Sequence, residues 1–80
     1  MPKLKNLSGK EVINFCEKNN FTDKRQKGSH VNVSRIVFGT KQSVTIPDHK
    51  EIDRGTLHSI YKKLSSYLPE KDLLEFFYTK

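Results

Sequence analysis

The sequence contains a single cysteine, Cys16, among 80 residues, so no internal disulfide can hold its fold together. Without a second cysteine there is also no thiolate framework for a structural metal ion. A chain of this length has room for one hydrophobic core, and we expect residues 1–80 to form a single domain. Its stability must therefore come from side-chain packing alone.

A capping box marks the start of the first periodic segment. Ser8 and Glu11 have the spacing at which their side chains bind the free backbone donors of a helix start, which predicts a helix from Gly9. The apolar side chains that follow fall on one arc of this helix: Val12, Ile13, Phe15 and Cys16. Asn19 and Asn20 can end it, because asparagine tolerates left-handed backbone geometry. We expect an amphipathic helix in which Cys16 is a core residue.

Three strand segments follow this helix. Residues 21–27 are polar or charged after the first position, which predicts an edge strand. Residues 30–38 predict a second strand, and residues 39–42 predict a turn. Residues 43–46 predict a short third strand that ends at Pro47, so the second and third strands form a hairpin. Within the second strand, Val31, Val33 and Val37 fall on one face and Asn32, Ser34 and Ile36 on the other, with Arg35 as the exception.

Two helices are predicted after the strands. From Gly55 the apolar residues recur at helical spacing, with an interruption near Ser65 and Ser66: Leu57, Ile60, Tyr61, Leu64 and Leu68. Pro69 fits the first position of a short terminal helix. Its apolar residues would either dock on the core or contact a partner: Leu73, Leu74, Phe76 and Phe77.

The order of these elements predicts the fold class. An antiparallel three-stranded sheet with the helices on one face buries one side of every element. We therefore expect an α+β two-layer sandwich, α-β-β-β-α with a short extra helix at the C-terminus. The second face of the sheet should stay open.

Charge and missing motifs limit the function. Fifteen Lys and Arg against nine Asp and Glu give a net charge of +6 at pH 7, which favours a polyanionic partner such as nucleic acid, although it also suits simple solubility. The sequence has no P-loop, dinucleotide-binding, zinc-protease or hydrolase signature, so no cofactor is expected. It also lacks the apolar run of roughly 20 residues that a membrane span needs. We expect a cytoplasmic protein with no membrane or small-molecule partner.

Residues 24–30 combine the residue types that cleave or bind RNA. Cations and a glycine turn precede a histidine at a strand start: Lys24, Arg25, Lys27, Gly28, Ser29 and His30. Arg and Lys bind phosphate, and histidine exchanges a proton near neutral pH. RNA carries its own nucleophile, the 2′-hydroxyl, so cleavage needs mainly a base, an acid and positive charge. The alternative is a solvated strand edge with an ordinary polar histidine.

The other histidines do not predict a metal site. His49 falls in a loop and His58 lies away from the apolar face of its helix, so neither is expected to join His30 around a metal ion.

Five collinear segments together resemble one known family. They are Pro2-Lys3-Leu4, Leu7-Ser8-Gly9-Lys10-Glu11-Val12, Arg25-Gln26-Lys27-Gly28-Ser29-His30, Val44-Thr45-Ile46-Pro47 followed by His49, and Gly55-Thr56-Leu57 with Ile60. They span roughly residues 2–64, and residues 68–80 lie beyond them. In this combination the chain resembles the HicA (YcfA-like) toxin family.

The resemblance implies a fold and an activity. The fold is like that of a double-stranded-RNA-binding domain, and the activity is that of an mRNA interferase, the toxin of a type II toxin–antitoxin pair. His30 corresponds to the catalytic histidine, which would act as general base on the ribose 2′-hydroxyl without a metal ion. Gly28 would let the backbone approach the phosphate, Ser29 would hydrogen-bond it, and Arg25 and Lys27 would supply charge. The implied partners are mRNA and a HicB antitoxin that covers the active site.

Two other functions stay open at this point. A non-catalytic RNA-binding module of the same fold would use the basic side chains and the histidine only to contact phosphate. A DNA-binding element, acting through a complex with the antitoxin, is the second alternative.

Overall fold

A computed structural model describes residues 2–79, so the predicted domain of residues 1–80 extends one residue beyond them at each end. The elements follow one another as α1 (Gly9–Lys18), β1 (Asp23–Lys27), β2 (His30–Val37), β3 (Thr40–Pro47), α2 (Arg54–Ser65) and α3 (Glu70–Phe77). The strands pair antiparallel in the order β1-β2-β3. The predicted α+β class and element order are confirmed.

The helices cover one face of the sheet. Alternating residues of β2 and β3 are buried beneath α1 and α2: Val31, Val33, Val44 and Ile46. The helices supply the other side of this core, including Val12, Ile13, Cys16, Leu57, Ile60 and Leu64. The opposite side of the sheet, here called the open face, carries Arg25, Lys27, His30, Asn32, Ser34, Ile36, Lys41, Ser43 and Thr45.

The first helix begins as the capping box predicts. The backbone N–H of Ser8 donates to Glu11 Oε1 at 2.9 Å, and the backbone N–H of Glu11 donates to Ser8 Oγ at 3.1 Å. Gly9 follows the cap where α1 meets the chain after β3. A Cβ on Gly9 would overlap Pro47 O and would lie 2.8 Å from Asp48 Cα, so only glycine fits this contact.

The other two helices start at slightly different residues than the sequence predicts. Helix α2 begins at Arg54 rather than Gly55, because Asp53 caps it by accepting from the backbone N–H of Thr56 at 2.8 Å. This hydrogen bond lowers the pKa of the Asp53 carboxyl. Pro69 is the N-cap of α3 and not its first helical residue. In residues 2–79 no helix is long and apolar enough to cross a membrane.

The turn between β2 and β3 differs from the predicted turn of residues 39–42. Val37 pairs with Thr40, so the turn consists of Phe38 and Gly39 alone, and β3 already begins at Thr40. Both turn residues have positive φ, 49° and 78°, as a type I′ hairpin turn requires. The prediction was wrong because phenylalanine is an unusual residue in a turn of this type.

Arg35 explains the exception in the alternation of β2. Its position is on the helix side of the sheet, but the guanidinium lies at the rim of the core, where Nη1 donates to Asn19 O at 2.9 Å and Nη2 donates to Tyr67 O at 3.1 Å. The guanidinium carbon is also 4.6 Å from the ring centroid of Phe21. Arg35 thus ties β2 to the ends of α1 and α2.

The C-terminal segment packs on the core. Leu73 and Phe77 of α3 are fully buried. Leu4 and Tyr78 form a β-bridge, and the backbone N–H of Lys5 donates to Phe77 O at 2.7 Å. Of the two roles open for this segment, docking on the core is the one that the structure shows.

Candidate active site

A tight turn places His30 at the first position of β2. Lys27 pairs with His30 across a turn of two residues, Gly28 and Ser29. Gly28 has a φ of 61°, and positive φ at this first turn position is the requirement of a type II′ hairpin turn. Nothing lies within 4 Å of a Cβ built on Gly28, so glycine serves the backbone conformation here and leaves space around the turn.

Three of the predicted site residues share the open face. Lys27 is the direct cross-strand neighbour of His30, which puts their Cβ atoms about 5 Å apart. Arg25 pairs with Asn32 and is therefore the diagonal neighbour of His30, at about 7 Å. All three side chains are exposed. A phosphate that touches the His30 imidazole is within reach of both cations.

Lys24 is separated from this group by the alternation of β1. It pairs with Val33 and therefore lies on the helix side of the sheet. There it lines a cavity of about 260 Å³ between α1 and β1, together with Glu17 and Gln26. The structure brings Arg25, Lys27, Gly28, Ser29 and His30 together and leaves Lys24 on the other face.

Backbone hydrogen bonds fix the position of the turn before His30. Ser29 O accepts from the backbone N–H of Asp48 at 2.6 Å, and His49 O accepts from the backbone N–H of Gly9 at 2.9 Å. The start of α1, the loop after β3 and the turn before His30 are thereby linked in series. Because these are main-chain contacts, they fix the position of the turn independently of flexible side chains.

The loop after β3, which binds the turn before His30 through Asp48, borders a groove that none of the predicted site residues lines. A groove of about 320 Å³ is lined by Ser8, Lys10, Asp48, His49 and Lys50. Lys10 Nζ lies 3.6 Å from Asp48 Oδ2, and both His49 and Lys50 are exposed. The signal in the sequence was the strand-ending Pro47, which pairs with His30 and so brings the residues after it to the same end of the sheet.

The His30 imidazole is available to a ligand. It is exposed, and within residues 2–79 no side-chain hydrogen bond occupies it. An unoccupied imidazole beside two cations can take a proton from a hydroxyl while the cations stabilise a phosphate.

Among the described residues, neither a reactive thiol nor a cluster of metal-ligating side chains lies beside His30. Cys16 is fully buried, and burial together with the nearby Glu17 raises the pKa of its thiol to about 12. The described residues contain no group of three His, Cys, Asp or Glu side chains that could hold a metal ion.

The chain matches the model of a known protein family. The family model described as the HicA toxin of bacterial toxin–antitoxin systems matches residues 9–65. No curated protein and no solved structure matches the chain. The matched residues run from the first residue of α1 to the last of α2 and include the whole sheet with its His30 turn. Since the match covers most of the chain, this protein belongs to the HicA toxin family of bacterial toxin–antitoxin systems.

Proposed function

We propose that this protein is an endoribonuclease, an mRNA interferase whose general base is His30. The observation that carries the proposal is the position of this imidazole, exposed at a tight turn with Lys27 beside it and Arg25 diagonal to it on the open face. General-base activation of a ribose hydroxyl needs one unoccupied imidazole and nearby positive charge, and this end of the sheet offers both.

The reaction can be written with the residues present. The His30 imidazole takes the proton of the ribose 2′-hydroxyl, and the 2′-oxygen attacks the adjacent phosphorus. The bond from phosphorus to the 5′-oxygen breaks, and that oxygen takes a proton from the protonated His30 or from water. The products are a 2′,3′-cyclic phosphate and a 5′-hydroxyl end.

The neighbours of His30 take supporting roles in this proposal. Lys27 and Arg25 stabilise the charge on the phosphorane, while the exposed Gly28 lets the RNA backbone come close to the turn. The Ser29 hydroxyl donates to a phosphate oxygen. Lys24 is proposed to attract RNA only through its charge, because its side of the sheet is the helix side.

Regulation follows from the family. A toxin of a toxin–antitoxin pair has an antitoxin partner, and we propose a HicB antitoxin that covers the open face around His30. The exposed surface there would be shielded from RNA in the complex and released with the free toxin. Because the proposed substrate is mRNA, we place the action of the protein in the cytoplasm.

The test is cleavage of labelled single-stranded RNA by antitoxin-free protein in the presence of EDTA. We expect the wild type to cleave and His30→Ala to lose roughly 100- to 10,000-fold of the rate, the usual contribution of a general base. His58→Ala is the matched control, because His58 is exposed on α2 and should leave cleavage unchanged. Mass spectrometry of the products should find the cyclic phosphate.

Three outcomes would contradict the proposal. Equal cleavage by His30→Ala and the wild type would show that His30 is not the general base. Cleavage only after addition of a divalent ion would show that the reaction depends on a metal. Salt-sensitive RNA binding without cleavage would instead support a non-catalytic RNA-binding module of this fold. Circular dichroism of His30→Ala should match the wild type, since an exposed strand-end side chain contributes little packing.

A further inference from the structure

The turn between β2 and β3 carries a residue that the fold itself does not favour. Phe38 is fully exposed, with a relative accessibility of 103%, and has a φ of 49°. A bulky side chain at positive φ is sterically unfavourable, whereas asparagine before Gly39 would suit a type I′ turn. Phe38 therefore destabilises its turn and buries no surface. Strained residues that persist without a packing role point to function.

A second exposed apolar residue lies on the open face, two positions before Phe38 in the chain. Ile36 is 67% exposed, and its direct partner across β2 and β3 is Lys41. Ile36 and Lys41 border a groove of about 490 Å³ whose other lining residues include Asn20, Thr22 and Asp23. An apolar surface, two cations, Lys41 and Arg35, one acid, Asp23, and short polar side chains thus line one groove at this end of the sheet.

The open face connects this end of the sheet to His30. The two lie along the length of β2, roughly 23 Å apart at the rise of a β-strand. Short polar side chains occupy the surface between them, including Asn32, which donates from Nδ2 to Thr45 Oγ1 at 3.0 Å, and Ser43. Cations lie at both ends, Lys41 at one and Lys27 at the other.

We propose that Phe38, with Ile36 and Lys41, binds an unpaired base and its phosphate, and so anchors single-stranded RNA on the open face that leads to His30. The inference rests on the proposed function and adds a binding site at a distance from the reaction. Stacking of bases on exposed aromatic rings and pairing of phosphates with lysine are the two main contacts of single-strand binding proteins. The site tolerates different sequences, because every base has a face that can stack.

Charge decides between RNA and a protein as the occupant. The open face carries Arg25, Lys27 and Lys41, and its strand positions add one acid, Asp23, which lies 3.9 Å from the Arg25 guanidinium. Cations thus outnumber acids along the open face as a whole, which complements a polyanion that extends from the Phe38 end to His30. An apolar protein partner would instead leave Lys41 to be desolvated beside Ile36.

The experiment measures RNA binding separately from cleavage. His30→Ala protein is used as the background, and binding of a labelled single-stranded RNA of about 12 nucleotides is followed by fluorescence anisotropy. We expect Phe38→Ala and Phe38→Asn to bind roughly 5- to 100-fold more weakly, and Phe38→Trp to keep the affinity. Lys41→Ala should make the negative slope of log affinity against log salt shallower by about 0.7, the loss of one phosphate contact.

Two variants make the result independent of folding. Phe38→Asn creates the favoured Asn-Gly turn, so its thermal midpoint should equal or exceed that of the wild type while its RNA affinity falls. Leu74→Ala is the control variant. It shortens an exposed apolar side chain on α3, away from the open face, and should leave RNA binding unchanged.

Unchanged RNA affinity in Phe38→Asn overturns the inference, as does an absence of RNA binding by the His30→Ala background. Unchanged RNA affinity with weaker antitoxin binding would assign the ring to the antitoxin instead. Cleavage by the active protein, measured in parallel, separates the two proposals. If the active protein cleaves RNA and the Phe38 substitutions do not change RNA affinity, only the proposed RNA-anchoring role of Phe38 is refuted. If RNA affinity depends on Phe38 but the active protein does not cleave RNA, only the proposed nuclease activity is refuted.

Discussion

The two ends of the sheet are both closed by turns of two residues, but the turns differ in how well their residues suit the backbone. Between β1 and β2, Gly28 takes the single positive φ, and the turn forms without strain. Between β2 and β3, Phe38 and Gly39 both have positive φ, and phenylalanine occupies a conformation that favours asparagine or glycine. The proposed catalytic residue follows the relaxed turn, and the exposed ring lies on the strained one.

The two ends are also held in place by different kinds of contact. At the His30 end, main-chain hydrogen bonds link Ser29 to Asp48 and Gly9 to His49. At the Phe38 end, one side chain, Arg35, binds the carbonyls at the ends of α1 and α2. Main-chain contacts allow little adjustment, which suits chemistry that requires fixed distances. A side-chain contact near an exposed ring leaves more freedom, which suits stacking on different bases.

Gly9→Ala should have the largest effect and should act at the His30 end. The added Cβ would overlap Pro47 O and lie 2.8 Å from Asp48 Cα, so either α1 or the loop must move. Overpacking against backbone costs about 3 kcal/mol of unfolding free energy, measurable by urea denaturation. Amide exchange should increase at Asp48, whose N–H binds the His30 turn, more than around Phe38.

Gly55→Ala is the matched control for Gly9→Ala. A Cβ there meets only Asp53 Oδ1 at 3.5 Å, an ordinary contact, and alanine favours the first turn of α2. We expect unchanged or slightly higher stability. Equal destabilisation by the two substitutions would show that the close approach of α1 to the loop has no special role at the His30 end.

Arg35→Met should lower the free energy of unfolding by about 2 kcal/mol and act at the Phe38 end. It removes charge-assisted hydrogen bonds and leaves Asn19 O and Tyr67 O without their donor. Methionine keeps much of the apolar volume beside Phe21. Thermal unfolding measures the loss, and amide exchange should rise in the second half of β2. Arg35→Lys should recover little of it, since an ammonium cannot replace the planar fork. A wild-type midpoint for Arg35→Met would refute this role.

Local signals explain which parts of this comparison the sequence could predict. The start of α1 follows from Ser8 and Glu11, two side chains that act within one turn of helix. The core face of β2 follows from alternating valines. The turn before His30 could be located because Gly28 fits the conformation that the backbone adopts there.

The remaining features depend on partners distant in the chain. All five residues of β1 are exposed, so no apolar residue shows which face Lys24 occupies, and only its pairing with Val33 decides this. The carbonyls that bind Arg35, those of Asn19 and Tyr67, lie in the separate segments that follow α1 and α2. The turn after β2 begins one residue earlier than the sequence predicts, because Phe38 occupies a position where a turn-forming residue is usual.

Gly28→Ala and Gly39→Ala compare the two turns directly. Both glycines have positive φ and open space around a Cβ, so each alanine should cost about 1 kcal/mol of stability through backbone conformation alone. Cleavage at saturating RNA should fall roughly tenfold in Gly28→Ala, because the turn positions His30 and the phosphate, and stay unchanged in Gly39→Ala. Equal cleavage by the two variants would show that the His30 turn needs no particular geometry.

The buried Cys16 should give the smallest effect and can report on the Phe38 end. Burial raises the pKa of its thiol to about 12, so at about pH 8 almost no thiolate forms and an alkylating reagent should not react with the folded wild type. Cys16 lies one helical turn before Asn19, whose carbonyl binds Arg35. Labelling should therefore be accelerated more in Arg35→Met than in the less destabilised Gly28→Ala, with mass spectrometry as the readout. Rapid labelling of the wild type would contradict the buried position of the thiol, and equal acceleration in both variants would show that the two ends of the sheet open together.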